Sequence, residues 1–296
     1  METSANAIHA GRFNPLNDFL FFKVMGEKGD ETQLLGFLNA VLCRSGEYPI
    51  QSVEIQDNQS FEADIASGKS CVLDVLAILS SGTKVNIEIQ LKNQGNMQRR
   101  SLFYWSKVFS EGLDEGQDYQ ELPKVISINI IDFSFLPGSK FHTRFHIRED
   151  SDSAIILSNA LEIHFINMAK WRKLKDKDIK DNVLHRWLTW FDERSPPELI
   201  EEVVNMDTAI KAADERQSYI TQSEEARRTY WSRRKAEHDR VSGLNYATQK
   251  GMKKGLKQGH DKATLNIARN ALAEGASLEF VQKITGLDVE TIRKLL

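Results

Sequence analysis

Two acids and an amide, Asp74, Glu88 and Gln90, sit inside two apolar runs in the stretch 72–92, VLDVLAILSSGTKVNIEIQLK. Apolar runs of this length joined by a short turn read as a β-hairpin with a buried face. A carboxylate placed inside such a run loses hydration and needs a partner. The turn decides which partner it finds. With Ser80-Ser81-Gly82 as a three-residue loop, Gly82 takes the left-handed position that such loops require. Leu79 then pairs with Thr83, and counting back sets Asp74 directly opposite Glu88. Opposed side chains share a face, with Cβ atoms about 4.5–5.5 Å apart. A two-residue turn would pair Asp74 with Ile89 and send the acids to opposite faces. Glycine at the third loop position selects the first register.

Two carboxylates so close repel, and they ask for a cation or a shared proton. The second strand alternates strictly, so Val85, Ile87, Ile89 and Leu91 face one way and Asn86, Glu88, Gln90 and Lys92 the other. One face enters a core; the other offers oxygen and amide groups beside Asp74. Hard oxygens on a rigid hairpin suit Mg²⁺. A cation held there can activate water and neutralise charge on a phosphate. The bland alternative makes both acids solvent-facing charges on an open sheet, and the spacing D-(x)13-E-x-Q does not by itself choose.

The elements that must position this hairpin are legible around it. Residues 17–25 and 31–43 carry apolar residues at helical spacing, with Asn17 or Asp18 near the first helix start. Strand patterns cover 51–56, 70–80 and 83–92. The stretch 97–113, MQRRSLFYWSKVFSEGL, returns to helix with Leu102, Trp105, Val108 and Phe109 on one face. KVISINIIDF, 124–133, reads as a central strand, and 141–149 and 161–168 as further strands. The order describes an α/β core ending near residue 170. Beyond it, 178–192 and 197–216 read as amphipathic helices, the second started by Pro196-Pro197. From 218 to 273 runs a long charged helical pattern, and the last twenty residues form two short helices with Asp288 as the second N-cap.

Composition narrows the class. The 296 residues are 41% hydrophobic and 27% charged with a formal net charge of −3, ordinary for a globular protein. Residues 221–270 hold twelve Lys/Arg against five Asp/Glu, while 1–70 hold five against ten. A basic C-terminal region permits nucleic-acid contact; a solvated helical face is the alternative. The two cysteines, Cys43 and Cys71, have no CxxC spacing, which suits a reducing compartment. Neither a secretory leader nor an apolar run long enough to span a membrane is present, so the expected location is the cytoplasm. No Walker A, GxGxxG, GxSxG or HExxH element occurs.

Several separated blocks, NDFLFFKVMGE, the LDVLAI…NIEIQ hairpin, RRSLFYWSKVFSEGL and DYQELPKVISINIIDF, together resemble the recombination-promoting nuclease/putative transposase (Rpn) family. This is a bacterial branch of the PD-(D/E)xK nuclease superfamily. The likeness is close over roughly 15–170, and the glycine-repeat tail and final two-helix unit are typical as well. It implies a restriction-endonuclease-like core, a mixed sheet flanked by helices, and Mg²⁺-dependent cleavage of DNA linked to recombination, mobile elements or phage defence, with Mn²⁺ able to substitute. By position, Asp74 matches the metal-binding Asp and Glu88 the acid of the (D/E)xK triplet, and the backbone carbonyl of Ile89 is a further ligand. Gln90 stands where the wider superfamily has Lys. It can orient water or a phosphate oxygen but supplies no charge. Asp18 falls where superfamily members often hold a third carboxylate; a helix cap is the competing role.

Arg99 and Arg100 open the helix after the hairpin and Lys107 lies two turns on, placed to clamp DNA phosphates or to pair with nearby acids. Tyr104 is expected in the core. His142 and His146, four apart in a strand, read as structural. Ala247, Gly251, Gly255, Gly259 and Ala263 recur every four residues, which favours self-association of a helix over a flexible linker. For the final two helices only Arg293 and Lys294 decorate the second, so a hydrophobic cap or dimer interface is preferred to a helix-turn-helix. The expected organisation is a nuclease-like domain at 1–175, a helical connector at 176–240 and a helical oligomerisation region at 241–296. The expected protein is a homo-oligomer, a dimer by preference, acting on DNA. The competing functions are a weakly cutting DNA-binding partner and a transposition accessory factor.

Overall fold

The computed structural model describes residues 12–43, 49–56, 74–113 and 116–295. Cys71 and the start of the 70–80 strand pattern lie outside the described residues. Six strands form one mixed sheet: β1 (Val53–Ile55), β2 (Val75–Leu79), β3 (Lys84–Gln90), β4 (Val125–Ile131), β5 (His142–Phe145) and β6 (Leu161–Asn167), in the order β1-β2-β3-β4-β6-β5. The pairs β3/β4 and β4/β6 are parallel and the others antiparallel. Parallel central strands must be covered on both faces, and β4 and β6 are buried along their whole length.

Strand alternation assigns the two faces. Val75, Ala77, Val85, Ile87, Ile126, Ile128 and Ile130 share one face and one core. Into that core pack α1 (Asp18–Met25), α2 (Thr32–Leu42), α5 (Val183–Phe191), α6 (Pro197–Met206) and α7 (Thr208–Gln222). The first helix starts at Asn17, whose Oδ1 accepts from the Leu20 N–H at 3.3 Å. Phe37 meets Trp187 and Phe191 edge to face with ring centroids 5.6 and 5.3 Å apart. Burying such rings stabilises by roughly 2–3 kcal/mol each. Gly36 lets α2 and α7 touch: a Cβ there would stand 2.3 Å from the Ala209 Cβ. The compact unit, Met1–Trp231, thus includes most of the stretch read as a connector.

One helix expected over 197–216 is two. Asp207 has an extended backbone, φ −140°, and its side chain accepts from the Ala209 and Ile210 N–H groups. An N-cap inside an amphipathic pattern ends one helix and starts the next. The opposite face of the sheet is covered by α3 (Met97–Ser110), which buries Met97, Ser101, Tyr104 and Val108. Leu102, expected on that packing face, is 50% exposed. The buried stripe is centred on Met97, Ser101 and Val108, and Leu102 falls beyond its edge. A five-residue α4 (Met168–Arg172) follows β6 directly.

A 50-residue helix, α8 (Glu224–Ala273), carries the glycine repeat without a break. The second compact unit, Ser232–Leu296, ends in α9 (Leu278–Thr285) and α10 (Val289–Arg293). Ala268, Val281 and Ile292 form its small core. Gly286, at φ +70°, closes α9, and Asp288 caps α10 by accepting from the Thr291 N–H at 2.8 Å.

Candidate active site on the β2–β3 hairpin

The hairpin adopts the three-residue loop. The Leu79 N–H donates to the Thr83 carbonyl at 2.9 Å, the Gly82 N–H donates to the Leu79 carbonyl at 2.9 Å, and Gly82 has φ +78°. The ladder pairs Ile78 with Lys84, Ala77 with Val85, Leu76 with Asn86 and Val75 with Ile87. One step further sets Asp74 across from Glu88, on the face covered by α3. Asp74 lies just before β2, past the last ladder pair, Val75 with Ile87, and its charge acts on Glu88.

The backbone explains why Asp74 is held there. Even-numbered residues of β3 bond to β4, as in Lys84 N–H to the Lys124 carbonyl at 2.9 Å. Odd-numbered residues therefore turn their N–H and C=O towards β2. Ile89 lies past the start of β2, and its N–H donates to Asp74 Oδ2 at 2.6 Å. The Ile89 carbonyl is turned to the same edge. Asp74, Glu88 and this carbonyl thus share one corner of the sheet.

Glu88 is 2% exposed, which excludes the solvent-facing reading for it. Its Oε2 lies 3.6 Å from Arg100 Nη2, while its Oε1 is buried with no hydrogen-bond partner. Burial first, and the facing Asp74 charge second, raise the Glu88 pKa well above 4.5. Arg100 and a hydrogen bond from the Asp74 backbone oppose that rise without cancelling it. The Arg100 guanidinium also stacks 4.7 Å over the ring of Tyr104, which is buried as expected. A pair of opposed acids, one with an orphaned buried oxygen, is a hard-oxygen donor set that fits a divalent cation.

The other expected residues divide. Gln90 lies on the same face as Glu88, and its Nε2 donates to the Lys92 carbonyl at 2.9 Å. Arg99 is exposed on α3. Lys107 pairs with Glu111 at 2.8 Å. Asp18 is exposed at the start of α1 and its Oδ1 accepts from the Phe19 N–H at 2.8 Å. Among the described residues no three His, Cys, Asp or Glu side chains converge as a metal cage.

The sequence reading placed Asn86 beside Glu88 but missed Ser127 and Asn129 next to it and the Glu162 cluster at the far edge. On the α3-facing side of β3 and β4, Asn86, Ser127 and Asn129 are fully buried next to Glu88. Both polar atoms of Asn86 and Oδ1 of Asn129 have no partner. The alternation S-x-N within SINII was their signal. At the other edge, His142 meets the His164 ring and His146 the Glu162 carboxylate, rather than each other. His142 Nε2 lies 2.9 Å from His164 Nδ1, and His164 Nε2 lies 2.8 Å from Glu162 Oε1. Glu162 Oε2 accepts from Lys124 at 2.6 Å, with His146 at 3.6 Å.

A mixed sheet with paired acids on a central hairpin, an adjoining helix that supplies a cation, and helices on both faces defines a nuclease-type α/β core. Residues 15–247 match the PD-(D/E)XK nuclease family transposases, and residues 261–296 match the C-terminal helix-turn-helix domain of the Rpn/YhgA-like nuclease family. The chain belongs to this PD-(D/E)XK nuclease family, in its Rpn group. No curated protein and no solved structure matches it. The second match corrects the preference for a hydrophobic cap: the α9–Gly286–α10 unit is a helix-turn-helix. Counting cations on α10 undervalued it, because a small core and a tight glycine turn, rather than charge density, define the motif. Among the described residues no helix is long and apolar enough to cross a membrane.

Proposed function

We propose that this protein is a divalent-cation-dependent DNA endonuclease working at the Asp74–Glu88 corner. What supports the reading is a buried Glu88 that feels the Asp74 charge and whose Oε1 has no hydrogen-bond partner. Asp74, Glu88 and the Ile89 carbonyl would hold Mg²⁺ or Mn²⁺. When bound, that cation supplies Lewis-acid activation of water and neutralises developing charge on the phosphate.

The chain's own groups do the rest. The Asp74 carboxylate is fixed by the Ile89 N–H, so it is oriented before any ligand arrives. Gln90, tethered through Nε2 to Lys92, has its amide oxygen to accept a hydrogen from the attacking water and aim it. Arg100 stands beside Glu88 and supplies positive charge to the phosphate as it becomes pentavalent. Arg99 projects outward, where it meets neighbouring phosphates. The helix-turn-helix delivers duplex DNA to the cytoplasmic enzyme, and pairing two chains through α8 would place two sites for cutting both strands.

Plasmid DNA incubated with Mg²⁺ and the wild type or Asp74→Ala tests this. Nicking by the wild type and its loss in Asp74→Ala is the expected result. No cleavage by either, with DNA binding kept, would favour a second reading, a nuclease fold that binds without cutting. Gln90 in place of a charged Lys is the observation behind that reading. Joining of a labelled DNA end to a target would indicate a transposition role.

A further inference from the structure

Helix α3 carries an aromatic ring that neither the core nor the catalytic reading uses. Phe103 is 49% exposed, although its neighbour Tyr104 is buried and the two rings meet edge to face at 5.8 Å. At 100° per residue, Arg99, Arg100, Phe103 and Lys107 fall within about 100° of arc on one flank of the helix. Arg100 is the member of that flank that reaches Glu88. Arg99 is exposed and has no ion-pair partner among the described residues.

Single exposed hydrophobic residues are common and need no explanation. This one differs by position. It sits one turn along from the guanidinium that touches the candidate catalytic acid, and it is bracketed by cations. A polyanion drawn to Arg99 and Arg100 passes directly over the ring. Phosphates gain nothing from a phenyl face, whereas a base does. In an intact duplex the base faces are sealed by their neighbours, so only an unstacked base can use the ring.

We propose that Phe103 is a base-stacking platform beside the Asp74–Glu88 site, and that the strand engaged there is unpaired, either a single strand or an opened duplex. This rests on the nuclease reading and names its substrate class. Arg100 holds the phosphate at the acids, Arg99 a flanking one, and the ring holds the base that unstacking exposes. A second copy of the chain or another protein would need only the ring's apolar area. A base needs its flat π-face.

The test uses the full chain in EDTA and an oligothymidine of about 15 nucleotides carrying one 2-aminopurine, which offers the helix-turn-helix no base pairs to read. Phe103→Ala and Phe103→Leu should each weaken binding by roughly 5- to 150-fold and abolish the 2-aminopurine quench. Phe103→Trp should keep both. The salt dependence should be unchanged in the Phe103 variants, while Arg99→Ala lowers the slope by about 0.7. Because Phe103 is half-exposed, thermal melts should be unaltered. Wild-type affinity in Phe103→Leu, or no single-strand binding by the wild type, overturns the proposal. If the leucine variant binds normally while the wild type nicks plasmid in Mg²⁺, the platform fails and the nuclease stands. If the quench depends on Phe103 but no cation supports cleavage, the platform stands and the nuclease fails.

Discussion

Replacing Glu88 by Gln should make the metal-free protein more stable and stop it from binding a cation. Gln keeps the shape of Glu88 and can still face Arg100, but it carries no charge. Two unit charges about 5 Å apart repel by about 3 kcal/mol at an effective dielectric constant of 20, and Arg100 at 3.6 Å offsets only part of this. The fold therefore keeps Glu88 protonated above its ordinary value of 4.5, while the unfolded chain lets it ionise. A raised folded pKa contributes stability that is complete below 4.5 and is lost as the pH climbs. Relative to Glu88→Gln, the wild type should lose up to about 1.4 kcal/mol per pH unit above 4.5, until Glu88 ionises in the fold.

Urea unfolding in EDTA at half-unit steps from pH 4.5 to 8 reads that gap directly. Adding Mn²⁺ should reverse the order, because only the wild type presents two carboxylates. Binding should release up to one proton per ion, and affinity should rise by as much as tenfold per pH unit over the same window. A stability gap that does not change with pH, or a wild type more stable than Glu88→Gln in EDTA at pH 8, would refute the reasoning.

Two further outcomes are expected. The far edge of the sheet should be acid-labile: burial, then the neighbouring His164, lower the His142 pKa from 6.5 to about 4, so stability should fall by up to about 3 kcal/mol as the pH drops through that interval. His142→Asn should remove this slope in urea unfolding between pH 4 and 7. Glu162 acts in the same sense lower down, since hydrogen bonds and charge from His164 and Lys124 outweigh its burial and hold it at about 2; its contribution is present above 4.5 and lost towards pH 2. Self-association through α8 should break in Gly255→Leu. A Cβ at Gly255 meets nothing within 4 Å in the single chain, so sedimentation should show a dimer becoming a monomer without loss of helix.

The hairpin register was legible because one residue decides it. Glycine at the third loop position admits φ +78°, and strand alternation carries the consequence five residues away to Asp74 and Glu88. Features that depend on what lies across a face were not legible. Leu102 belongs to an apolar helical pattern, yet the sheet beneath α3 receives a stripe that excludes it. Glu162 and His164 alternate visibly in LEIHFINM, but their partners come from β5 and from Lys124, brought in by pairing that no local pattern encodes. Asp207 was a local signal overlooked, an N-cap residue hidden inside a longer amphipathic run.

The unsatisfied groups around Glu88 reinforce the assignment of the site from stability alone. Asn86, Asn129 and Glu88 leave four buried polar atoms without partners on one patch of β3 and β4. Each such atom costs about 1–3 kcal/mol, so apolar residues at these positions would give a firmer core, like the valines and isoleucines on the opposite face. Selection for folding alone has no reason to keep a repelling acid pair beside three unpaired amide atoms. A requirement to bind something does. Ions and waters satisfy such atoms only when the ligated state is formed, and the stability given up in the empty state is then the binding free energy held in reserve. Places where sequence and structure conflict with good packing mark where function overrides it, and among the described residues of this sheet four of the five unpartnered buried side-chain atoms belong to Glu88, Asn86 and Asn129.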